Sequence, residues 1–416
     1  MRTAQLLRKY DPAEWGGTES AVSRMLDALG EEGVQSVLFC PRPRGIAPRP
    51  LPVATGCQVR HFKARVPVWG LTARERQQFT CVGGNLFSFD LMGALWKEPG
   101  VQLIHAHTLG RLGAIAAVVA RRRHAPFVVT IHGGYLDLPR LLKQAFHRPP
   151  KRGFDWGRLF GFLLGSRRML ERADAIVTCN PKEAALLRVR FPRHRVEVLP
   201  HGVPAALYRA DARQLALEHW PRLRGRRLLV CVGRVDPVKN QQWLVEQVPA
   251  LRKRHPNFML VLAGPCSDAS YAETLQQRIA ELGIADAVML TGGLPPGDPR
   301  LTGLFQLAGL VALSSVSETF GLVLLEAWAA GAAVLASRTS GASALIRPGE
   351  NGWLFDLDRP ESFHEAATVA LNGCGPRERF AANGRAMVLA EFDVPIVARR
   401  IRQLYYQLIE AKSCDT

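Results

Sequence analysis

No apolar run in the 416 residues reaches the roughly 18 needed to cross a bilayer, so no segment is expected to span one. The opening MRTAQLLRKYDP also lacks an apolar core long enough for a secretory signal. Eight cysteines (Cys40, Cys57, Cys81, Cys179, Cys231, Cys266, Cys374, Cys414) are scattered without a C-x-x-C pair or a Cys/His ligand spacing. That pattern argues against structural zinc and for a reducing cytosol, where a thiol in a strand such as LLVCV is a small buried apolar group. No segment recurs at a fixed repeat period. Acid is in deficit: 36 Asp and Glu against 54 Lys and Arg give a net charge of +18. So large an excess predicts an anionic partner, whether nucleic acid, an acidic membrane surface or a phosphorylated small molecule. No helix-turn-helix, zinc pattern or aromatic stacking motif supports the first of these.

What is present is a globular composition, 47% hydrophobic, with enough chain for two domains. Strand-like and helix-like segments alternate almost throughout, the signature of α/β architecture with mostly parallel sheets. Strands are expected at Thr3 to Leu7, Val37 to Cys40, Leu103 to His107, Phe127 to Ile131, Ala175 to Cys179 and Val196 to Leu199. Helices are expected from Ala21 to Leu29 and at Gly113 to Ala120, and the Pro-rich stretch Pro41 to Pro52 reads as a loop. The pattern lapses around His201–Gly202–Val203–Pro204 and resumes at Leu228, which divides the chain into residues 1–203 and 204–390. In the second part, strands at Leu228 to Val232, Phe258 to Ala263, Val288 to Thr291, Val334 to Ala336 and Trp353 to Phe355 alternate with helices from Gln241 and Ala272. Two amphipathic segments, from Pro376 and from Val394, close the chain, the last forming a separate element at 391–416. Ligands of such folds sit beyond the carboxyl ends of the strands and in clefts between domains.

The stretch LSSVSETFGLVLLEAWAA, Leu313 to Ala330, carries the most chemistry. A strand stops at a Ser-rich turn, and Gly321 opens a helix with Leu322, Leu325 and Ala329 on one face. Glu318 lies on the turn and Glu326 one helical turn inside, about 6 Å along the axis. Amides of Phe320, Gly321 and Leu322, with Val323 behind them, form a helix mouth that suits an anion, and the two acids suit hydroxyls. The plainer reading is an acid pair complementing a helix dipole, with Ser317 or Thr319 as the cap. GRVDPVKN follows the first strand of the second half, and Arg234 and Lys239 there bracket a turn at Pro237 with Asn240 placed to cap the next helix. Two cations beside a helix start suit a diphosphate, although Arg and Lys near a turn are more often solvated. Gly16 and Gly17 lie between the first strand and helix, where backbone can approach a phosphate, but G-x-G-x-x-G is absent. His132 ends a strand in VVTIHGG and is expected to point into the cleft. His105 and His107 share a face of the neighbouring strand; without carboxylate partners they do not read as a metal site, and His105 reads as a satisfied core group.

Taken together, SETFGLVLLEA with its Glu-x7-Glu spacing, GRVDPVKN, the GGTE loop and VVTIHG resemble the GT4 family of retaining glycosyltransferases. The resemblance covers nearly the whole chain in the right order. It implies the GT-B fold: two Rossmann-like domains facing each other across a cleft, acceptor on the first and nucleotide-sugar on the second, with a final helix crossing back to the N-terminal domain. By the same resemblance no metal or other cofactor is needed, Glu318 holds donor sugar hydroxyls and Glu326 the ribose. Arg234 and Lys239 then neutralise the leaving diphosphate, Gly16 and Gly17 face it, and His132 lies over the sugar. Two positions depart from the family pattern: His201–Gly202–Val203–Pro204 stands where many relatives have Asn-Gly-Val-Asp, and Thr319 replaces the glycine often found before Phe320.

The implied function is transfer of a hexose-type sugar from a nucleoside-diphosphate donor to a glycan or lipid-linked acceptor, in cell-surface polysaccharide or glycolipid synthesis. The same fold also hosts nucleotide-sugar epimerases, and a basic nucleic-acid-binding protein is the other alternative. The segment HRPPKRGFDWGRLFGFLLGSRRMLER, His147 to Arg172, mixes Phe154, Trp156, Phe160, Phe162 and Leu163 with cations. It reads either as an interfacial helix for an anionic membrane or as a core helix with a solvated basic face. The expected location is therefore the cytoplasm, with peripheral attachment to the inner face of the membrane as the hypothesis this segment raises.

Overall fold

The computed structural model describes residues 1–10, 16–42, 57–81, 86–137, 154–295, 297–373 and 375–414. Residues 14–15 of the Gly-Gly loop, 43–52 of the Pro-rich stretch, 147–153 of the basic segment, and Cys374 lie outside them. The chain forms two compact units, one of Met1–Gly202 with Val394–Thr416 and one of Val203–Asp393.

The first unit runs β1 (Arg2–Leu6), α1 (Gly17–Glu31), β2 (Gln35–Pro41), β3 (Cys57–Phe62), β4 (Val68–Trp69), α2 (Ala73–Cys81), α3 (Asp90–Lys97), β5 (Leu103–Ala106), α4 (Gly110–Arg122), β6 (Phe127–Ile131), β7 (Phe154–Asp155), α5 (Gly157–Leu163), β8 (Ala175–Thr178), α6 (Pro181–Arg190) and β9 (Arg195–Val198). Seven of these strands form a parallel sheet in the order β3-β2-β1-β5-β6-β8-β9, and β4 and β7 pair apart from it, antiparallel. In the second unit come α7 (Arg213–His219), β10 (Arg227–Val232), α8 (Gln241–Arg254), β11 (Phe258–Ala263), α9 (Ala269–Glu281), β12 (Val288–Gly292), α10 (Pro299–Leu307), β13 (Ala308–Leu313), α11 (Leu322–Ala329), β14 (Val334–Ser337), α12 (Ser340–Leu345), β15 (Trp353–Phe355), α13 (Pro360–Leu371) and α14 (Pro376–Met387). Its sheet is β12-β11-β10-β13-β14-β15, again parallel. Near-continuous apolar strands such as FMLVLA, buried at every position, are what a parallel sheet covered on both faces requires.

In each sheet the strand order reverses beside the first strand, between β1 and β5 and between β10 and β13. Connections on the two sides of such a point run to opposite faces, so a crevice opens at the carboxyl ends of those strands. Sequence periodicity located the sheet interiors but passed over β3, α2, α3 and α6. The reason is visible in β3, an edge strand with Arg60 and His61 exposed, whose pattern never alternates cleanly.

The final helix, α15 (Val394–Cys414), belongs to the first unit. Its buried stripe of Val397, Ile401, Leu404, Tyr405 and Leu408 packs with Leu29, Leu103 and Val128. Among the described residues of the basic segment no single surface helix forms. Phe154 and Asp155 pair with β4, α5 covers two turns, and Gly165, at φ 66°, ends it before the short turns that follow.

In the second unit, α11 is held by close packing on α14. Trp328 is fully buried, and its indole Nε1 donates to the Asn351 carbonyl at 2.9 Å. A Cβ at Gly384 would lie 2.1 Å from Trp328 Cδ1, so the two helices meet at hydrogen-for-side-chain distance. Gly384→Ala is therefore expected to lower stability by about 1–3 kcal/mol through overpacking, despite the higher helix propensity of alanine. Denaturant unfolding measures it; an unchanged or raised midpoint would show that α11 and α14 separate freely.

Candidate functional site

The switch point of the second unit is framed by two loops, 233–240 after β10 and 314–321 after β13. They are laced together. The Val316 N–H donates to the Val238 carbonyl at 2.8 Å, and the Ser314 hydroxyl lies 3.1 and 2.8 Å from the carbonyls of Lys239 and Asn240. Asp236, buried, shapes the first loop: its Oδ1 accepts from the N–H groups of Val238 and Lys239, each at 3.0 Å, and its Oδ2 lies 3.1 Å from the Arg234 guanidinium. Gly264 fixes that loop from the neighbouring strand end, since a Cβ there would sit 2.0 Å from the Gly233 carbonyl oxygen.

Across this frame the Lys239 ammonium is ion-paired with the Glu318 carboxylate, both largely shielded. Burial by itself would lower the Lys239 pKa, but Glu318, with Asp236 behind it, holds it above the ordinary lysine value, so the cation persists at every physiological pH. Arg234, paired with Asp236, is more exposed, at 54%. Two capping expectations fail. Asn240 sits in the left-handed region, at φ 54° and ψ 44°, and makes no side-chain cap. The start of α11 is capped by neither Ser317 nor Thr319: Gly321, at φ 96° and ψ 49°, is its N-cap. A left-handed entry turns the chain sharply there, which a side-chain cap with extended backbone could not do. Phe320 is buried beside Phe392, Leu322 and Val323 form the first turn, and Glu326 lies buried on the same helix.

The candidates thus divide between the units: Gly16, Gly17 and His132 belong to the first, and Arg234, Lys239, Glu318, Phe320, Gly321, Leu322, Val323 and Glu326 to the second. Gly16 is the extended N-cap of α1 and Gly17 its first residue. His132 follows β6, and Glu183 of α6, fully buried, secures the segment after it by accepting the N–H groups of Tyr135, Leu136 and Asp137 at 3.0, 2.8 and 2.8 Å.

Around His132 the structure assembles a group that sequence spacing did not reveal. His107 Nδ1 lies 2.9 Å from His132 Nε2, and the His201 ring stacks on His132 at 5.1 Å and 18°. His105 lies behind them, 2.6 Å from both the Tyr405 hydroxyl and Thr130 Oγ1, as expected of a satisfied core group. Burial drives all four imidazoles toward the neutral form, His105 to about 3 and His201 to about 4, with His107 and His132 also well below the usual value. Among the described residues no cluster of three or more His, Cys, Asp or Glu could hold a metal ion. His201 escaped the sequence reading because its neighbours come from distant strands; the signal available was only its place in the departing HGVP motif.

Comparison with known proteins bears on the family and the fold. A family model described as glycosyl transferase 4-like domain matches residues 16–202, and one described as glycosyl transferases group 1 matches residues 217–387. The chain is 29% identical over 379 residues to a D-inositol 3-phosphate glycosyltransferase of Nocardia farcinica, covering 89% of this chain and 79% of that one. Among solved structures it is similar to a sucrose-phosphate synthase from Thermosynechococcus elongatus, with TM-score 0.75, 22% identity and 99% of each chain covered. It also resembles Anabaena HepE in complex with UDP, at TM-score 0.72, 17% identity and coverage of 98% and 100%. The fold is GT-B, with α/β units built on parallel sheets. Motifs, fold and family models converge: the chain belongs to the group 1, GT4-like glycosyltransferases.

Proposed function

We propose that this glycosyltransferase moves a hexose-type sugar from a nucleoside-diphosphate donor to a glycan or lipid-linked acceptor, with retention of anomeric configuration and without a metal. The observation that carries the donor reading is the pairing of Lys239 with Glu318 across the switch point of the second unit. Lys239 and Arg234 each already have a carboxylate partner, so the four side chains sum to zero charge. An arriving diphosphate competes for both cations. As Lys239 turns to the phosphate, the Glu318 oxygens are released to accept from sugar hydroxyls, so binding the anion and gripping the sugar become one event. Departure of the nucleoside diphosphate builds negative charge where the cations and the mouth of α11 already point, which lowers the barrier without metal chemistry. Glu326, one turn inside that helix, is the residue for the ribose. UDP in the HepE complex supports a nucleotide-sugar donor. Membership of the glycosyltransferase family displaces both the epimerase and the nucleic-acid readings.

The acceptor reading rests on the first unit. Phe154, Leu159, Phe162 and Leu163 are exposed, Phe162 at 83%, as are Arg158, Arg167 and Arg168 of the same segment. Trp69, also exposed, lies against Phe154 across the β4–β7 pair, ring centroids 5.9 Å apart. Beneath them the buried Arg111 guanidinium holds Asp155 at 2.5 Å. Bare aromatics ringed by cations suit an anionic membrane, where a lipid-linked acceptor is presented. In this proposal the protein works at the cytoplasmic face, in surface polysaccharide or glycolipid synthesis.

For the donor, Lys239→Met is expected to weaken the tightest of UDP, GDP and ADP by roughly ten- to a hundredfold in calorimetry, the loss of one charge-assisted hydrogen bond of about 1.5–3 kcal/mol. The matching nucleoside should bind unchanged, and equal weakening of both would remove Lys239 from the diphosphate. Glu326→Ala should abolish donor binding or turnover; full activity would break its assignment. For the membrane, sedimentation with vesicles containing phosphatidylglycerol should retain the protein, and the double variant Phe162→Ser, Leu163→Ser should release it. Equal binding to neutral and anionic vesicles, or to neither, rejects the docking surface.

A further inference from the structure

The hydrogen bonds behind His132 have a direction, and that direction is set from β1, which pairs with β5 as β5 does with β6. Gln5, buried in β1, donates from Nε2 to Thr3 Oγ1 at 2.9 Å and to the Tyr405 hydroxyl at 3.3 Å. Its amide nitrogen is thereby committed, and only Oε1 faces His107 Nε2, at 2.9 Å. A carbonyl oxygen accepts, so His107 carries its proton on Nε2. In a neutral imidazole the other nitrogen is then bare, and His107 Nδ1 must accept from His132 Nε2, 2.9 Å away. His132 is left with its proton on Nε2 and a bare Nδ1. That atom is buried and has no hydrogen-bond partner among the described residues. The Tyr405 end is consistent: having accepted from Gln5, its hydroxyl gives its own proton to His105 Nδ1, and His105 Nε2 donates to Thr130 Oγ1, each at 2.6 Å.

We propose that Gln5 and His107 are positioning residues that hold His132 in the Nε2–H tautomer, so that His132 serves its substrate as an acceptor at Nδ1 and never as a donor there. The inference rests on the reading of His132 as a substrate-facing group of the transferase; the direction of the chain does not. Burial keeps these imidazoles neutral, which preserves one donor and one acceptor on each ring. A ligand hydroxyl matches Nδ1, whereas a carbonyl or a phosphate oxygen there would meet a second lone pair. Tyr405 gives α15 a part in this, because without its hydroxyl the Gln5 amide loses one of the two acceptors that orient it.

The test is two-bond proton–nitrogen correlation NMR on the full chain labelled with nitrogen-15 histidine at neutral pH, assigned through His107→Phe and His132→Asn. His107 and His132 should both show the Nε2–H pattern. A wild-type His132 protonated at Nδ1 overturns the proposal. In Gln5→Met, folding checked by melting midpoint, His132 should show mixed tautomers, and kcat should fall at least about tenfold with the donor KM little changed. Gln5→Glu keeps an accepting oxygen and should keep the His132 tautomer. An unchanged His132 pattern in folded Gln5→Met also overturns it. Should the tautomers follow this pattern while no nucleotide-sugar is turned over, the transferase reading fails and the hydrogen-bond assignment stands.

Discussion

Everything in the second unit depends on the parallel pairing of β10 with β13, Leu229 beside Leu310 and Val230 beside Val311. Because the strand order reverses at β10, the loops that leave these two strands emerge next to each other, although more than 70 residues of chain separate them. Parallel strands cannot be joined by a tight turn, so each loop leads into a helix instead. The same constraint delivers two loop tips and two helix mouths to one place. Four charged side chains, Arg234 exposed and the other three buried or half-buried, then satisfy one another there, and the sheet supplies the rigidity that keeps their spacing.

That mutual satisfaction separates two uses of charge. The net charge of +18 acts at a distance, raising the local concentration of anions and falling away with salt. The two ion pairs at the loop tips are neutral in sum, because Asp236 and Glu318 answer Arg234 and Lys239. A bare pair of buried cations would be costly without a ligand, and a permanently closed ion pair would bind nothing. A lysine held cationic by a carboxylate that has another task lies between these extremes. Its partner is stabilising before the donor arrives and useful afterwards.

Much of this was legible in the chain. The apolar runs of β10, β11 and β13, the alternation with helices, and the motifs at the strand ends all carry local signals, and together they put Arg234, Lys239 and Glu318 on the turns after strands and Glu326 inside the helix that follows. What escaped was whatever depends on partners remote in sequence. Asn240 looks like a cap, but its carbonyl is taken by Ser314 and its backbone is left-handed. Ser317 and Thr319 look like caps for α11, but Gly321 in the left-handed region is the N-cap. The segment from Phe154 to Arg172 has the composition of an amphipathic helix, yet Asp155 is claimed by Arg111 from α4, and Gly165 breaks the remainder. Tertiary partners outweighed local propensity at each of these points.

The histidines show the same limit most sharply, and they also show why the last helix belongs where it does. Three of the four sit at or just beyond strand ends, and nothing in their spacing says that 107 meets 132 while 105 does not. The selector is Tyr405, which arrives from the other end of the chain. It is fully buried among apolar side chains of α15, so its hydroxyl cannot be left unmatched without a cost of about 1–3 kcal/mol. Gln5 and His105 are the groups that match it. Docking of the helix and orientation of the Gln5 amide are therefore one requirement, and the arrangement of protons reaching His132 follows from satisfying it.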